Sequence, residues 1–417
     1  MAGSSHGHLP ENASGMNDRV SEFLLETGLT YLNHASFGCP TRAALDRAEA
    51  ERRRIELDTA VALGPQLVAE LTRQADVVAA TIGAEAGSVA LVENTTAAAG
   101  ALWSSLPWSA GTRVFALDVE YESVIRGLQV ACARVGASLR VAHLPLPATE
   151  EAVLAALAEA VPVPTVVVMS AVTSATAIAM PLRAVARWCA ANGVQLLIDG
   201  AHVVGHVPLN VASLGAAAVF GSLHKWLPVP RSVGFLWLAP ELRHVVRPAE
   251  VSLLWDSGDL VTRFGWRGTW DPASALGVEA AIAELAEWDR TGELARAEAV
   301  ADHVAGALRE LGLSETAGEG LVPPRLRGFL VPGVELADLR STLDACKVRA
   351  WTGRSADGVT IVRVSTHVYN EMTDISPLLA AILRVLNRGH SGAPIAPGRR
   401  AAQLGNTGTE TVTFPAS

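Results

Sequence analysis

Between Ser88 and Ala239 the chain alternates short, almost wholly apolar runs with segments of helical composition, and this alternation limits the possible folds more than any other feature. The apolar runs are SVALV from Ser88, VFALD ending at Asp118, LRVAHL, TVVVMSAV, QLLID ending at Asp199, Ala216 to Phe220, and VGFLWLA. Between them, helices are expected from Thr95, where two hydroxyls stand at an N-cap position, and over 123–136, 149–160 and 182–192. Strands without polar alternation are buried on both faces, and parallel strands need helical crossovers. The pattern predicts an α/β fold with a mostly parallel sheet covered on both sides. Ligands bind such sheets at the strand ends.

The flanks extend this reading. Residues 41–84 are rich in Ala, Leu, Glu and Arg and predict two helices, interrupted near Gly64-Pro65. After VGFLWLA, the stretch from PELRHVV to GTWDP reads as a long irregular connection. Helices follow over 273–289 and 292–311, then an α+β pattern: RGFLVPG, a helix over 336–346, KVRAW, VTIVRVST and a last helix over 373–386. The expected organisation is a disordered leader over 1–18, a large α/β domain over 19–290, a smaller C-terminal α+β domain over 291–388 and a disordered tail over 389–417. The leader has no apolar h-region of a signal peptide.

Charge and cysteine usage exclude several function classes. A net charge of -9 argues against a nucleic-acid surface. The one compact basic run, Arg52-Arg53-Arg54, reads as the solvated face of a helix. No apolar run reaches the roughly 18 residues that span a bilayer, so no membrane partner is expected. Cys39, Cys132, Cys189 and Cys346 are scattered without a CxxC pair, which indicates neither zinc nor a redox dithiol and fits a reducing cytoplasm.

The chemistry-bearing residues gather where two apolar runs end. Asp199 closes one, and Ser222-Leu223-His224-Lys225 follows the next. A buried lysine at a strand end is either a salt-bridge partner or a Schiff-base lysine whose free amine is favoured by desolvation and nearby positive charge. In the second case pyridoxal phosphate chemistry also needs a carboxylate for the pyridine nitrogen, a phosphate cradle and a platform against the ring. Asp199 fits the first need, with a helix cap for the Ala201 segment as its rival role. Thr95 and Thr96 at a helix N-terminus, with Ser222, fit the second. Tyr121 fits the third, with core packing as its rival role.

DGAH at Asp199 to His202, SLHKWL at Ser222 to Leu227, the Glu120-Tyr121 pair and RVSTHVYNEMTDI at Arg363 to Ile375 together resemble the class V aminotransferase superfamily of fold-type I pyridoxal-phosphate enzymes, in its isopenicillin N epimerase-like branch. The resemblance runs from YLNHASFG at Tyr31 to the last helix. It implies a seven-stranded large-domain sheet, an N-terminal segment that contributes to the small domain, and pyridoxal 5'-phosphate as cofactor. Lys225 matches the Schiff-base lysine and Asp199 the aspartate at the pyridine nitrogen. His202 and His224 match histidines flanking the cofactor, Tyr121 the ring-stacking position, and Ser174 the group at the phenolic oxygen. Thr95 or Thr96 with Ser222 matches the phosphate contacts. Thr269 matches a threonine that reaches the phosphate of a neighbouring subunit, which implies a homodimer with shared sites. Arg363 matches the arginine that grips an amino acid's α-carboxylate, with Asn33, His34 and Trp270 placed around the substrate.

Three positions depart from the branch. Trp270 stands where relatives carry arginine, Ala177 where they carry glycine, and Ala171 where they often carry histidine; the segment before Trp266 is also shorter. Cys346 precedes the position of a desulfurase's catalytic loop and reads as a packing residue. The leading expectation is a β-eliminating carbon–sulfur lyase acting on a cysteine conjugate or its sulfoxide in secondary metabolism. Epimerisation, transamination and decarboxylation at the α-carbon are the alternatives, and a catalytically silent binding or regulatory module is the alternative outside enzymes.

Overall fold

In the computed structural model, which describes residues 18–389, the apolar runs form one seven-stranded sheet. Its strands are Val89–Val92 (β1), Arg113–Leu117 (β2), Ser138–Ala142 (β3), Val166–Ser170 (β4), Gln195–Asp199 (β5), Ala218–Ser222 (β6) and Gly234–Leu238 (β7). Their spatial order is β1-β7-β6-β5-β4-β2-β3. Only β7 is antiparallel, to both β1 and β6.

Two cores explain the missing polar alternation. Leu196 and Ile198 of β5 join Val167 and Met169 of β4 in the core on one face, while Leu197, Val166 and Val168 join the core on the other. Successive side chains point to opposite faces, so a strand covered on both sides must be apolar throughout. The edge strand β3 is half exposed and tolerates Arg140.

Helix Arg42–Leu57 (α1) packs against the Ala275–Gly277 turn, and helices Pro65–Thr81 (α2), Thr95–Ser105 (α3), Glu122–Val135 (α4), Glu150–Ala158 (α5) and Leu182–Asn192 (α6) flank the sheet. Where two helices were expected from Thr41, a third, one-turn helix at Thr59–Ala62 intervenes, because Asp58 caps it through the Val61 N–H. The basic run on α1 is paired with carboxylates: Arg52 with Asp271, Arg53 with Glu49, and Arg54 with Glu51 and Glu70.

The long connection after β7 is more ordered than its composition indicates. Asp259 caps a buried helix at Leu260–Gly265, and Arg263 inside it donates to the carbonyls of Ser257 and Arg243. Helices Val278–Arg290 (α7) and Glu293–Glu310 (α8) lead to an antiparallel sheet of Ser314–Glu315 (β8), Leu326–Val331 (β9), Trp351–Arg354 (β10) and Thr360–Ser365 (β11), ordered β10-β11-β9-β8. Leu336–Ala345 (α9) and Ile375–Gly389 (α10) cover it. The N-terminal segment joins this unit: Thr30–Tyr31 pairs in parallel with Val348–Arg349, and Leu32 enters its core.

From there the chain crosses to the large sheet. Gly38 has φ +68, and a Cβ there would stand 1.9 Å from the His224 carbonyl oxygen, so only glycine lets this segment lie against the Lys225 loop. The leader and tail expected to be disordered fall outside the described residues, Asp18 and Gly389 excepted. Among the described residues no helix is long and apolar enough to cross a membrane, and no cluster of ligating side chains could hold a metal ion.

Candidate active site

Parallel pairing of β5 and β6 brings Asp199 and Ser222 to the same edge of the sheet, and the turn after β6 carries His224 and Lys225 over it. The N-terminus of α3 closes one side. Asn94, rather than either threonine, is its N-cap, accepting the Ala97 N–H at 3.0 Å. That leaves the hydroxyls free for other work. Thr95 Oγ1 lies 2.8 Å from Ser222 Oγ, which also accepts the Thr95 N–H at 3.2 Å. Hydroxyls gathered on a helix N-terminus suit a phosphate dianion.

A cavity of about 390 Å³ opens above this floor, lined by Asn33, Thr95, Thr96, Tyr121, Ser174, Asp199, His202, Ser222, His224, Lys225 and Arg363. Ser36, Phe37, Asn94, Ser170, Val172, Ala201 and Trp351 complete the lining. The volume suits a small cofactor with its substrate. Lys225 Nζ lies 3.4 Å from His202 Nε2 and 5.9 Å from the centre of the half-exposed Tyr121 ring.

Three expected residues lie elsewhere. His34 turns away from the cavity, because its ring is buried against His367 at 3.8 Å and its Nδ1 meets the Tyr369 hydroxyl at 3.0 Å. Thr269 is exposed and outside this chain's cavity. Trp270 does not line it either; it lies under the Arg267 guanidinium at 4.4 Å, and Arg267 is held by Glu93 and the Leu91 carbonyl.

Arg363 enters from β11. Its guanidinium donates to the Ser174 carbonyl at 2.5 Å, Asn33 Oδ1 at 3.1 Å and Ser36 Oγ at 2.7 Å, and lies 5.2 Å from the Trp351 ring. No carboxylate of the described residues pairs with it, and its Nε has no partner. A buried guanidinium held only by neutral oxygens is an anion site. Burial pushes it down to about 9. The Ser174 turn is closed by Ala177 at φ 52, a left-handed conformation that costs alanine roughly 1–2 kcal/mol.

Burial also sets the remaining charges. It lowers Lys225 to about 8, against the attraction of Asp199 and with help from Arg363, so the free amine predominates from about pH 8 upward. Asp199 is pushed up to about 6 by burial, opposed by the Ala201 N–H at 2.8 Å and by Lys225. A cationic ring nitrogen beside it would restore full ionisation. His224 falls to about 4 through burial, with its Nδ1 2.7 Å from the Val233 carbonyl.

Glu120 is a buried acid whose role the sequence does not reveal. Its oxygens accept the Ser170 N–H and meet the Ser170 hydroxyl, yet burial and the nearby Asp199 charge push it up to about 8. A carboxyl raised in the folded state contributes stability that is full below about 4.5 and lost as pH rises through about 8. Glu120→Gln mimics the protonated form. In thermal melts of cofactor-free protein, its advantage over wild type is expected to grow from nothing near pH 4 to roughly 1–3 kcal/mol above pH 8. Parallel pH profiles for the two proteins would contradict the assignment.

The sheet order, the cavity at the strand ends and the Lys225, Asp199 and Arg363 constellation define an enzyme of the fold-type I pyridoxal-phosphate class. The family model Aminotransferase class-V matches residues 58–378, and the chain belongs to that family. It is 29% identical over 385 residues to the isopenicillin N epimerase of Streptomyces clavuligerus, covering 86% of this chain and 95% of the relative. It is 28% identical over 428 residues to a putative L-cysteine desulfhydrase 1 of Oryza sativa subsp. japonica, covering 90% and 87%. Its fold is similar to that of a cysteine desulfurase from Thermococcus onnurineus, with a TM-score of 0.75, 18% identity and coverage of 90% and 99%. The family's cofactor is pyridoxal 5'-phosphate, and the site fits it: Lys225 would meet the aldehyde, Asp199 the ring nitrogen, and the Thr95–Ser222 hydroxyls at a helix N-terminus the phosphate.

Proposed function

We propose that the enzyme is a β-eliminating carbon–sulfur lyase that converts an S-substituted cysteine and water to a thiol, pyruvate and ammonia. The lining of the cavity carries this reading: one amine base, one guanidinium free to take a carboxylate, and no thiol. Cys39, Cys132, Cys189 and Cys346 all lie outside it, and Cys346 meets Arg384 instead, so a sulfur-accepting cysteine is lacking among the lining residues. At the mouth, Phe37 is 64% exposed beside Trp351, an apolar border for the sulfur substituent. Similarity to a putative cysteine desulfhydrase adds support.

Pyridoxal phosphate, when bound, supplies an electron sink for the α-carbon. Arg363 holds the α-carboxylate and so orients the Cα–H bond, and Lys225 takes the α-proton as a free amine. The Cβ–S bond then breaks with its electron pair leaving on sulfur, which takes up a proton at the open mouth. Hydrolysis of the remaining enamine carbon skeleton yields pyruvate and ammonia.

The site is completed in a homodimer, in which the exposed Thr269 meets the partner's phosphate; Thr96 and Tyr121 border both the cavity and an adjoining surface groove with Trp103 and Val130. Four unpaired cysteines fit a cytoplasmic setting. The test incubates holoenzyme with S-alkyl and S-aryl cysteines in deuterated water. Equal release of pyruvate and ammonia is expected; no pyruvate, with solvent deuterium on an inverted α-carbon, would instead establish an epimerase.

A further inference from the structure

Behind Lys225 a chain of hydrogen bonds runs in a single direction. The Arg325 backbone N–H, just before β9, donates to His206 Nε2 at 3.2 Å. His206 Nδ1 lies 3.2 Å from the His202 carbonyl, and the Trp226 indole N–H donates to His202 Nδ1 at 3.1 Å. His202 Nε2 then stands 3.4 Å from Lys225 Nζ. An indole nitrogen can only donate, so His202 Nδ1 must present its lone pair. The same logic applied to the Arg325 N–H places the His206 proton on Nδ1, where the His202 carbonyl accepts it.

We propose that Trp226 is a positioning residue that locks His202 in its Nε2–H tautomer and so holds a hydrogen-bond donor against the Lys225 amine. This inference rests on the reading of Lys225 as the cofactor-binding amine. A second proton on His202 would set Nδ1–H against the indole N–H, so the imidazolium is excluded while the indole is in place. An ammonium on Lys225 would likewise face the Nε2–H. The free amine, with its lone pair, is the state that this geometry satisfies, and it is the state that reacts with an aldehyde.

The indole itself has no freedom. Trp226 is fully buried, its ring stacked on His206 at 3.9 Å and 10°, with the Arg325 guanidinium 4.9 Å from the indole centre and held to the Gly205 carbonyl. Arg325 leads into β9 of the C-terminal sheet, so the two sheets meet on the ring that orients His202.

Nitrogen-15 NMR of cofactor-free protein labelled at histidine, with His202 assigned by substitution, reads the tautomer directly. The expected result is a neutral ring protonated on Nε2 across the pH range in which the fold persists. Trp226→Phe keeps an aromatic ring but removes the N–H. It is expected to release the tautomer and to move the pH midpoint of pyridoxal phosphate capture by Lys225 upward by about one unit, about tenfold less free amine at a fixed lower pH. An unmodified protein with His202 protonated on Nδ1 or doubly protonated overturns the inference even if Trp226→Phe does not fold. A folded Trp226→Phe with an unchanged tautomer and capture profile overturns it as well. In either case, capture at Lys225 in the unmodified protein leaves the cofactor assignment standing, whereas absence of capture removes that assignment.

Discussion

Lys225→Ala is expected to reduce turnover by about 10⁴-fold or more and to abolish covalent capture of pyridoxal phosphate, while the protein keeps its fold. The size follows from the cavity: Lys225 is the one amine among its lining residues, and the proposed mechanism assigns it both attachment and α-proton removal. Substitution removes a partly exposed side chain at the cavity and leaves the buried Leu223, Trp226 and Leu227 around it in place. Absorption spectra before and after addition of pyridoxal phosphate, together with thermal melts, separate a lost amine from a lost fold. A variant with wild-type turnover would show that the base lies elsewhere.

Arg363→Met is expected to lower kcat/KM for amino-acid substrates by about 10²–10³-fold, through KM more than kcat, because a buried charge-assisted fork is worth roughly 2–5 kcal/mol when truncated. Arg363→Lys keeps the charge but not the planar fork, and falls between the two. Covalent capture of the cofactor persists in both, since Arg363 donates to Ser174, Asn33 and Ser36 and makes no hydrogen bond to Lys225, Asp199 or the Thr95–Ser222 hydroxyls. The arms are separated by assaying a substrate whose carboxylate is amidated: wild type and Arg363→Met should turn it over at similar low rates. An unchanged KM for the free acid in Arg363→Met would remove the arginine from substrate binding.

Much of this site is legible in the sequence because burial on both faces writes a distinctive pattern. In a strand such as QLLID the polar residues are confined to the ends, so Asp199 stands out. The parallel connections then carry these ends to one edge. Asn94 carries a signal of its own, since asparagine directly before a helical run is a favoured N-cap, and the adjacent hydroxyls present a competing one.

Other features depend on contacts between distant segments. His34 adjoins Asn33 in sequence, yet one points into the cavity and the other into a cluster with His367 and Tyr369 that only the folded C-terminal unit provides. Trp270 pairs with Arg267, whose own partner Glu93 lies beyond β1. Glu120 enters the sequence reading only as half of a motif, and its burial against Ser170 depends on the neighbouring strand. The helix at Leu260–Gly265 is a single short turn and a half, hidden in a connection with too few apolar residues to show a period.

The most direct test of the account treats the holoenzyme with borohydride and maps the modified peptide by mass spectrometry. Reduction fixes pyridoxal phosphate to the amine that binds it, and the full modification is expected on Lys225 and none on Lys347, the other lysine of the chain. Modification on Lys347, or a protein that binds no pyridoxal phosphate at all, would contradict it.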